Sequence, residues 1–365
     1  MLNKNKFSDS LLKWYRRHHR ILPWRETKNP YHIWISEAML QQTQVKTVLT
    51  YFPAFIKKFP TVQSLAKSDL EDVLKSWELM GYYARARNLH RAAQIVMEKY
   101  RGELPQVYQE IRSLPGVGEY IAAAVCSIAF GLPYPVIDGN VKRVVARLFE
   151  IDVPVNSSQF MQICKEKLTS IFNEKHAGDF NQSMMELGAT RCFPKNPDCP
   201  ECPVKNYCGA YTHSTQPNYP VKLPKRNIPE VHIALGVILK KDKLLITRRK
   251  EAGLLGGLWE LPGGKVQPGE SPGEACIREI QEEVNIKVKI SGSLTTIKHA
   301  YTHFKIQVDV FLCPYHSGII KLNGPVDYRW IAASEIDRFP FPAANHKIFR
   351  SLKSKIDYFK NYKPA

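Results

Sequence analysis

The chain has 365 residues, 44% of them hydrophobic, with 52 Lys and Arg against 34 Asp and Glu and a net charge of +18. That length and composition are those of a folded soluble protein with two or three domains and a sizeable core. The positive excess attracts a polyanion, nucleic acid first and an acidic membrane surface second, and with no secretory or membrane segment apparent the eight cysteines are expected to be intracellular thiols, not structural disulfides.

Trp14-Tyr15-Arg16-Arg17-His18-His19-Arg20 superficially resembles a transit peptide. Asp9 precedes it, and Leu22-Pro23-Trp24-Arg25 follows with no cleavage-like site, so it reads as a first amphipathic helix. From residue 6 to about 211 the pattern is mostly helical, as in Val62–Leu65–Leu70–Val73–Leu74–Trp77 and Leu89–Ala92–Ala93–Val96. Asn29-Pro30 starts a helix with a capping side chain and then proline in the first turn. In that helix Glu37 falls four residues after Ile33 and three before Leu40, so it shares their face. A carboxylate on an apolar stripe is costly unless paired, protonated or used, and desolvation raises its pKa as a general acid requires. The plainer alternative is a solvated glutamate at the stripe's edge.

Leu114-Pro115-Gly116-Val117-Gly118 has the form of a hairpin between two helices. Pro115 interrupts the first helix, the glycines let the backbone turn and approach another molecule, and the second helix opens with bare N–H groups suited to phosphate. Pro-Gly-x-Gly is also an ordinary loop. The apolar run from Tyr120 to Ile137 is broken by Gly131, Pro133 and Pro135, so it predicts a buried helix plus turn. Asp138 then stands in a Pro/Gly-flanked segment. Glu37 and Asp138 together permit glycosidic chemistry, one protonated to activate a leaving group and one ionised to stabilise the positive sugar.

Cys192, Cys199, Cys202 and Cys208 are separated by gaps of six, two and five residues, with four prolines between them. Four thiolates in such a loop suit zinc or a four-iron cluster. Arg191, Lys195 and Lys205 beside them suit phosphate. Cys126, Cys164, Cys276 and Cys313 are scattered and read as core positions. Thr212 to Glu230 is Pro-rich and basic, a linker. Beyond it Val231–Ile233–Leu235–Val237–Leu239 and Ile306–Val308–Val310–Leu312 alternate as strands, Lys240 to Lys243 turns into Leu244-Leu245-Ile246, and Ala275 to Val284 reads as a helix: a separate α/β domain.

The hairpin, Asp138 and the cysteine spacing resemble the endonuclease III superfamily of DNA base-excision glycosylases. Leu22-Pro23-Trp24-Arg25, Trp34 to Thr43 and Gly81-Tyr82-Tyr83-Ala84-Arg85-Ala86-Arg87-Asn88-Leu89 resemble its MutY-type adenine glycosylases, which remove adenine mispaired with 8-oxoguanine or guanine. The resemblance covers nearly the whole chain. It implies a multidomain protein: an all-α helix-hairpin-helix glycosylase domain at 1–211 (six-helix barrel about 25–130, iron–sulfur module 1–24 and 131–211), a linker at 212–230, and a Nudix-like 8-oxoguanine recognition domain at 231–365. It also implies a [4Fe-4S] cluster on the four cysteines and a monovalent cation at the hairpin as an option.

By the same resemblance the adenine is flipped from the duplex. Glu37 donates a proton to its N7, and Asp138 stabilises the oxocarbenium-like sugar, directly or through a transient covalent bond. Tyr120 and Asn140 orient the two acids. Arg25 and Leu40 line the adenine pocket, Gln42 and Tyr82 wedge into the duplex, and Gly116 and Gly118 hold backbone phosphate. Bifunctional relatives carry a Schiff-base lysine where this chain has Tyr120, and a phenol cannot form the imine, so a monofunctional enzyme is expected.

In the C-terminal half, Gly264, Glu270, Arg278, Glu279, Ile280, Glu282, Glu283 and Ile286 match a Nudix box, with Asn285 in place of glycine. Asn tolerates left-handed backbone better than most residues. Glu279, Glu282 and Glu283 share a helix face suited to Mg²⁺, which leaves residual nucleotide hydrolysis open beside a purely structural helix whose acids pair with Arg278. His299-Ala300-Tyr301-Thr302-His303 resembles the family's lesion-reading loop, with Tyr301, Thr302 and His303 contacting 8-oxoguanine and Thr302 where a serine is more usual. The expected protein is a monomer that works on double-stranded DNA in the cytoplasm, associated with the nucleoid. Two rival functions remain at this stage: a DNA-binding module without chemistry, and a nucleotide-pool hydrolase dependent on Glu282.

Overall fold

The computed structural model describes residues 3–223, 228–301 and 304–353. By contact the chain divides into two compact units, Met1–Lys67 with Arg91–Lys225 and Ser68–His90 with Arg226–Ala365. The helical part comprises α1 (Lys4–His18), α2 (Pro30–Leu40), α3 (Val45–Lys58), α4 (Val62–Lys67), α5 (Leu70–Ser76), α6 (Ala84–Tyr100), α7 (Tyr108–Arg112), α8 (Glu119–Ala124), α9 (Gly139–Leu148), α10 (Ser158–Ile171), α11 (Ala177–Thr190) and α12 (Gly209–Thr212). Among the described residues no helix is long and apolar enough to cross a membrane.

In the first unit, α1 packs against α11, which also packs on α9. Phe7, Leu11, Trp14 and Tyr15 of α1 join Val141, Val144, Val145, Phe160, Leu168, Phe180, Met184 and Leu187 in one apolar core. Helix α2 begins as expected: Asn29 accepts from the Tyr31 N–H at 2.9 Å and Pro30 occupies the first turn. Its burial differs from the one-sided stripe that the spacing suggests. Tyr31 and every residue from Ile33 to Met39 are buried, because a helix apolar nearly all round lies among its neighbours, not on a surface.

The run after Tyr120 also departs from a plain helix plus turn. After α8 the chain widens into a π-helical segment, Val125–Ala129, before turning at Gly131 (φ +70°). Gly178 of α11 packs on that segment, and a Cβ there would stand 2.7 Å from the Ser127 carbonyl oxygen. Beside it, buried Asn181 donates to Ser127 Oγ and the Tyr134 carbonyl, both at 2.8 Å, and accepts from the Val136 N–H at 3.0 Å. One amide therefore satisfies the polar groups of a non-helical stretch that leads straight to Asp138. The residues after Thr212 stay on this unit: Arg147 Nε donates to the Tyr219 carbonyl at 3.0 Å, and the Val155 N–H to that of Val221 at 3.0 Å.

Among the described residues the second unit holds eight strands, β1 (Glu230–Lys240), β2 (Lys243–Arg248), β3 (Trp259–Glu260), β4 (Gly263–Lys265), β5 (Lys287–Val288), β6 (Gly292–Ala300), β7 (Lys305–Ser317) and β8 (Asp327–Ala332), with helices α13 (Pro272–Val284) and α14 (Ala343–Lys353). The order β3-β2-β1-β7-β5 puts β1 and β7 side by side and parallel, Val237 opposite Leu312. The alternation read from sequence is the division between two cores. Val237, Ile306, Val308, Val310 and Leu312 face α14, whereas Ala234, Ile238 and Cys313 face α13. Helix α13 starts with a Ser271/Glu274 capping box and ends on Asn285 at φ +58°, the left-handed backbone that glycine would otherwise supply. The fold is thus multidomain, a helical domain followed by a C-terminal α/β domain.

Candidate active site

Glu37 sits mid-α2 with the apolar residues of that helix around it, and only 4% of it is exposed. Its Oε2 accepts the Tyr120 hydroxyl at 2.5 Å. Burial pushes its carboxyl up to about 7, the Tyr120 hydrogen bond opposes the rise, the charge of Asp138 adds to it, and Arg25 lowers it. Asp138 is the N-cap of α9, with Oδ1 accepting from the Val141 N–H at 2.7 Å and Oδ2 from the Asn140 amide at 2.9 Å. Burial raises its carboxyl too, but those donors and Arg143 oppose the rise. Tyr120 is held neutral, its pKa raised well above the usual by burial and then by both acids. The three groups therefore share one field. Glu37 has one hydroxyl donor to favour its charged form, whereas Asp138 has several N–H donors and the Arg143 charge, so the surroundings favour ionisation of Asp138 more than of Glu37.

Tyr120→Phe removes the hydrogen bond that favours ionised Glu37. The alkaline limb of the rate profile should therefore move up in pH, with about a tenfold rate loss at pH 6 from lost orientation. Single-turnover rates across pH check the sign.

Three further residues were not legible from the sequence. Glu186 of α11, fully buried, accepts from Arg20 Nε (2.9 Å) and Nη2 (2.7 Å) and from Arg25 Nη2 (2.8 Å). Arg25 also donates to the Arg20 carbonyl at 3.2 Å and lies 5.6 Å over the Tyr15 ring, so it is tied to α1 and α11 as well as acting on Glu37. Burial would raise Glu186, but the hydrogen bonds of Arg20 and Arg25 outweigh it and hold the carboxyl at about 2. Its contribution to stability is present above its ordinary range and lost as pH falls through about 2. Glu186→Gln should cost about 3 kcal/mol by leaving Arg25 without its counter-ion, read as a lowered denaturant midpoint at pH 7.

Arg143 and Arg147, one turn apart on α9, run from the acid to the cysteine loop. Arg143 donates to Asn140 Oδ1, the Gly188 carbonyl and the Cys192 carbonyl, each at 2.8 Å. Gly188 makes the approach possible, since a Cβ there would stand 2.5 Å from Asn140 Cβ. Arg147, 2% exposed, donates to Cys192 Sγ at 3.2 Å and to the Phe193 carbonyl at 2.7 Å. The available signal was an i, i+4 arginine pair on α9, beside the apolar Val141, Val144, Val145 and Leu148.

Cys192, Cys199, Cys202 and Cys208 are free thiols. Burial raises Cys199, Cys202 and Cys208, and the neighbouring thiols raise each further, Cys202 to about 12. Among the described residues no three His, Cys, Asp or Glu side chains are grouped for an ion. The donor set, four cysteines in one loop whose neighbouring thiols raise Cys199, Cys202 and Cys208, is chemically suited to an iron–sulfur group, whose positive charge would favour their thiolate forms.

Around the acids, Leu40 is half-buried and Gln42 exposed at φ +54°. The hairpin closes with the Val117 N–H donating to the Leu114 carbonyl at 3.0 Å and Gly116 at φ +76°. Gly118 caps α8, and nothing lies within 4 Å of where its Cβ would be, so the backbone there is open to approach. In the second unit, Tyr82 is 38% exposed at φ +50°.

Tyr301 stacks on Phe304 (4.8 Å) with His299 edge-on at 4.7 Å, whereas Thr302 and His303 lie outside the described residues. Arg278 binds Glu270 at 2.7 Å, Glu279 at 3.0 Å and Glu282 at 3.1 Å, so a divalent ion would compete with it for two of the three candidate ligands. Glu283 accepts from the Gly263 N–H at 3.2 Å, and burial raises it to about 7.

Residues 35–170 match the family of HhH-GPD superfamily base excision DNA repair proteins, and residues 234–351 match the NUDIX domain. Over 97% of this chain and the whole of the relative, the chain is 32% identical to an adenine DNA glycosylase of Buchnera aphidicola. It is also 32% identical to the human adenine DNA glycosylase, over 94% of this chain and 73% of that protein. Among solved structures it resembles a thermostable thymine-DNA glycosylase (TM-score 0.52, 28% identity, 57% of this chain and 97% of that one). It likewise resembles endonuclease III in a non-covalent complex with DNA (TM-score 0.50, 26% identity, 59% of this chain and 100% of that one).

Proposed function

The chain belongs to the adenine DNA glycosylases, enzymes of base excision repair, and from that premise we propose how its own residues divide the work. The observation that carries the reading is the Tyr120 hydroxyl on Glu37 in a field shared with Asp138. With adenine extruded from the duplex, neutral Glu37 donates its proton to N7 of the base. The electron pair of the C1′–N9 bond leaves with the adenine, and the Asp138 carboxylate stabilises the positive sugar. Water then adds to C1′ and gives its proton to the Glu37 carboxylate, which restores the acid and leaves free adenine and an abasic site.

Asn140 and Arg143 hold Asp138, Tyr120 orients Glu37, and Arg25 and Leu40 border the base. Gln42 and Tyr82 enter the stack, and the open backbone at Gly116 and Gly118 takes a phosphate. The four cysteines would hold a [4Fe-4S] cluster, whose iron–sulfur bonds would fix the loop carrying Arg191, Lys195 and Lys205. With Tyr120 where an imine-forming lysine would stand, the enzyme is monofunctional. The C-terminal domain reads 8-oxoguanine opposite the adenine through Tyr301, Thr302 and His303, and the protein acts as a monomer at the chromosome, in the cytoplasm.

Duplexes carrying A·8-oxoG, A·G or A·T test this. Alkali-dependent breaks on the adenine strand are expected for the two mispairs and not for A·T. Breaks without alkali would overturn the monofunctional assignment. Thr302→Ala with His303→Ala should lower the rate on A·8-oxoG about tenfold relative to A·G; equal loss on both counts against the lesion-reading role.

A further inference from the structure

The segment Ser68–His90 lies within the sequence match to the glycosylase family, yet by contact it belongs with the C-terminal domain. Several hydrogen bonds join them. Trp259 Nε1 donates to Glu71 at 2.9 Å, Arg87 donates to the Gly256 carbonyl at 2.8 Å, and Lys75 donates to the Phe339 carbonyl at 3.0 Å. Between α5 and α6 the chain makes a tight turn in which Leu79, Gly81 and Tyr82 all have positive φ, at +68°, +79° and +50°. Two of these residues carry side chains, so the turn persists only where its surroundings over-determine it.

Both ends of that turn are held by one residue. At its start, Glu78 Oε1 accepts from the Phe341 N–H and from His346 Nε2, each at 2.8 Å, and Glu78 Oε2 accepts from Lys75 at 2.5 Å. At its end, the Tyr83 hydroxyl accepts from the Leu79 N–H at 3.0 Å and donates to the Phe341 carbonyl at 3.4 Å. Phe341 is itself immobilised, fully buried against Phe349 at 4.8 Å. Inside the turn, Trp77 Nε1 and Arg85 donate to the Gly81 carbonyl at 3.2 and 3.0 Å. The middle of the turn is open, with Leu79 48% and Tyr82 38% exposed.

We propose that Glu78 is a positioning residue. With the Phe341 backbone and His346 it lets the C-terminal domain hold the Leu79–Tyr82 turn in the form that presents Tyr82 to the duplex. The lesion-reading domain then bears directly on extrusion of the adenine, without touching the acids that cut it out. This rests on the reading of Tyr82 as a residue that enters the stack.

The test uses the full chain, duplex with 2-aminopurine beside the target adenine to report extrusion, and single-turnover excision. Glu78→Ala should slow extrusion about tenfold, as should Tyr82→Ala, and the double variant should be no slower than Tyr82→Ala alone. Glu78→Gln, which keeps an acceptor for the Phe341 amide, should recover most of the loss. The pH at which excision declines should not move in any of them. Additive losses in the double variant, or wild-type extrusion in Glu78→Ala, overturn the proposal. Wild-type extrusion in Tyr82→Ala removes the underlying reading of Tyr82 and the proposal with it. Should Glu78→Ala fail to fold, His346→Ala in the same comparison decides.

Discussion

Glu37→Gln should leave duplex binding within a few-fold and slow adenine release by about 10³-fold or more, the share expected of a general acid whose leaving group cannot depart unprotonated. Gln fills the same space and can still accept the Tyr120 hydrogen bond, so the loss reads on the proton and not on packing. The unsubstituted protein should show the complementary pH dependence. With the Glu37 carboxyl near 7, the excision rate should fall about tenfold per unit above that point, and fall again at acid pH where Asp138, raised by burial, takes up a proton. Stability has the same sign. Glu37 is raised from 4.5 to about 7 on folding, so its neutral form is the one the fold accommodates. That contribution is full below the unfolded value and lost as pH rises through about 7. Glu37→Gln needs no proton and should therefore unfold at a higher temperature than the parent at pH 8, by the equivalent of about 3 kcal/mol. A glutamine variant that still excises adenine at the parent rate would overturn the assignment of Glu37 as the general acid.

Asp138→Asn should cost a similar amount, about 10³-fold in the excision step, by removing the one negative charge placed for the developing sugar cation. Here two roles of one side chain can be separated. Asp138 caps α9 through the Val141 N–H, and asparagine caps as well as aspartate does. Asp138→Asn should thus leave the thermal midpoint nearly unchanged, while Asp138→Ala should lose the charge and about 1 kcal/mol of capping. The asparagine variant also removes the charge that raises Glu37, so the residual activity should decline at lower pH than in the parent, opposite to Tyr120→Phe. A residual profile that does not move would mean that the two acids do not share a field.

Much of the site was readable before any fold was known, for local reasons. Asn29-Pro30 is a helix start whose capping hydrogen bond lies within three residues. Asn285 in place of glycine already implied a left-handed cap, which is what it forms. The alternation in β1 and β7 is a period-two signal that burial on a sheet imposes on each strand separately. The roles of Glu37, Asp138 and the four cysteines came from residue type and spacing, together with resemblance to a family. What was not readable is long-range. Glu186 gave no local sign that Arg20 and Arg25, more than 160 positions earlier, would need it. Asn181 is an unremarked polar residue until the fold brings it to the Ser127 hydroxyl and the Tyr134 carbonyl.

By itself the sequence determined the chemistry available to this protein. It held an acid on an apolar helix, a second acid in a Pro/Gly-flanked segment, a phenol where related enzymes carry an imine-forming amine, four clustered cysteines and a net charge of +18. Only the tertiary structure decided that a single hydroxyl faces Glu37 while several donors face Asp138. It alone decided that the Tyr82 turn is gripped by Phe341, some 258 residues further along the chain. The reason is common to both. Residue type sets which groups can ionise or donate, but a pKa and a strained turn depend on desolvation and on hydrogen bonds supplied from elsewhere in the chain.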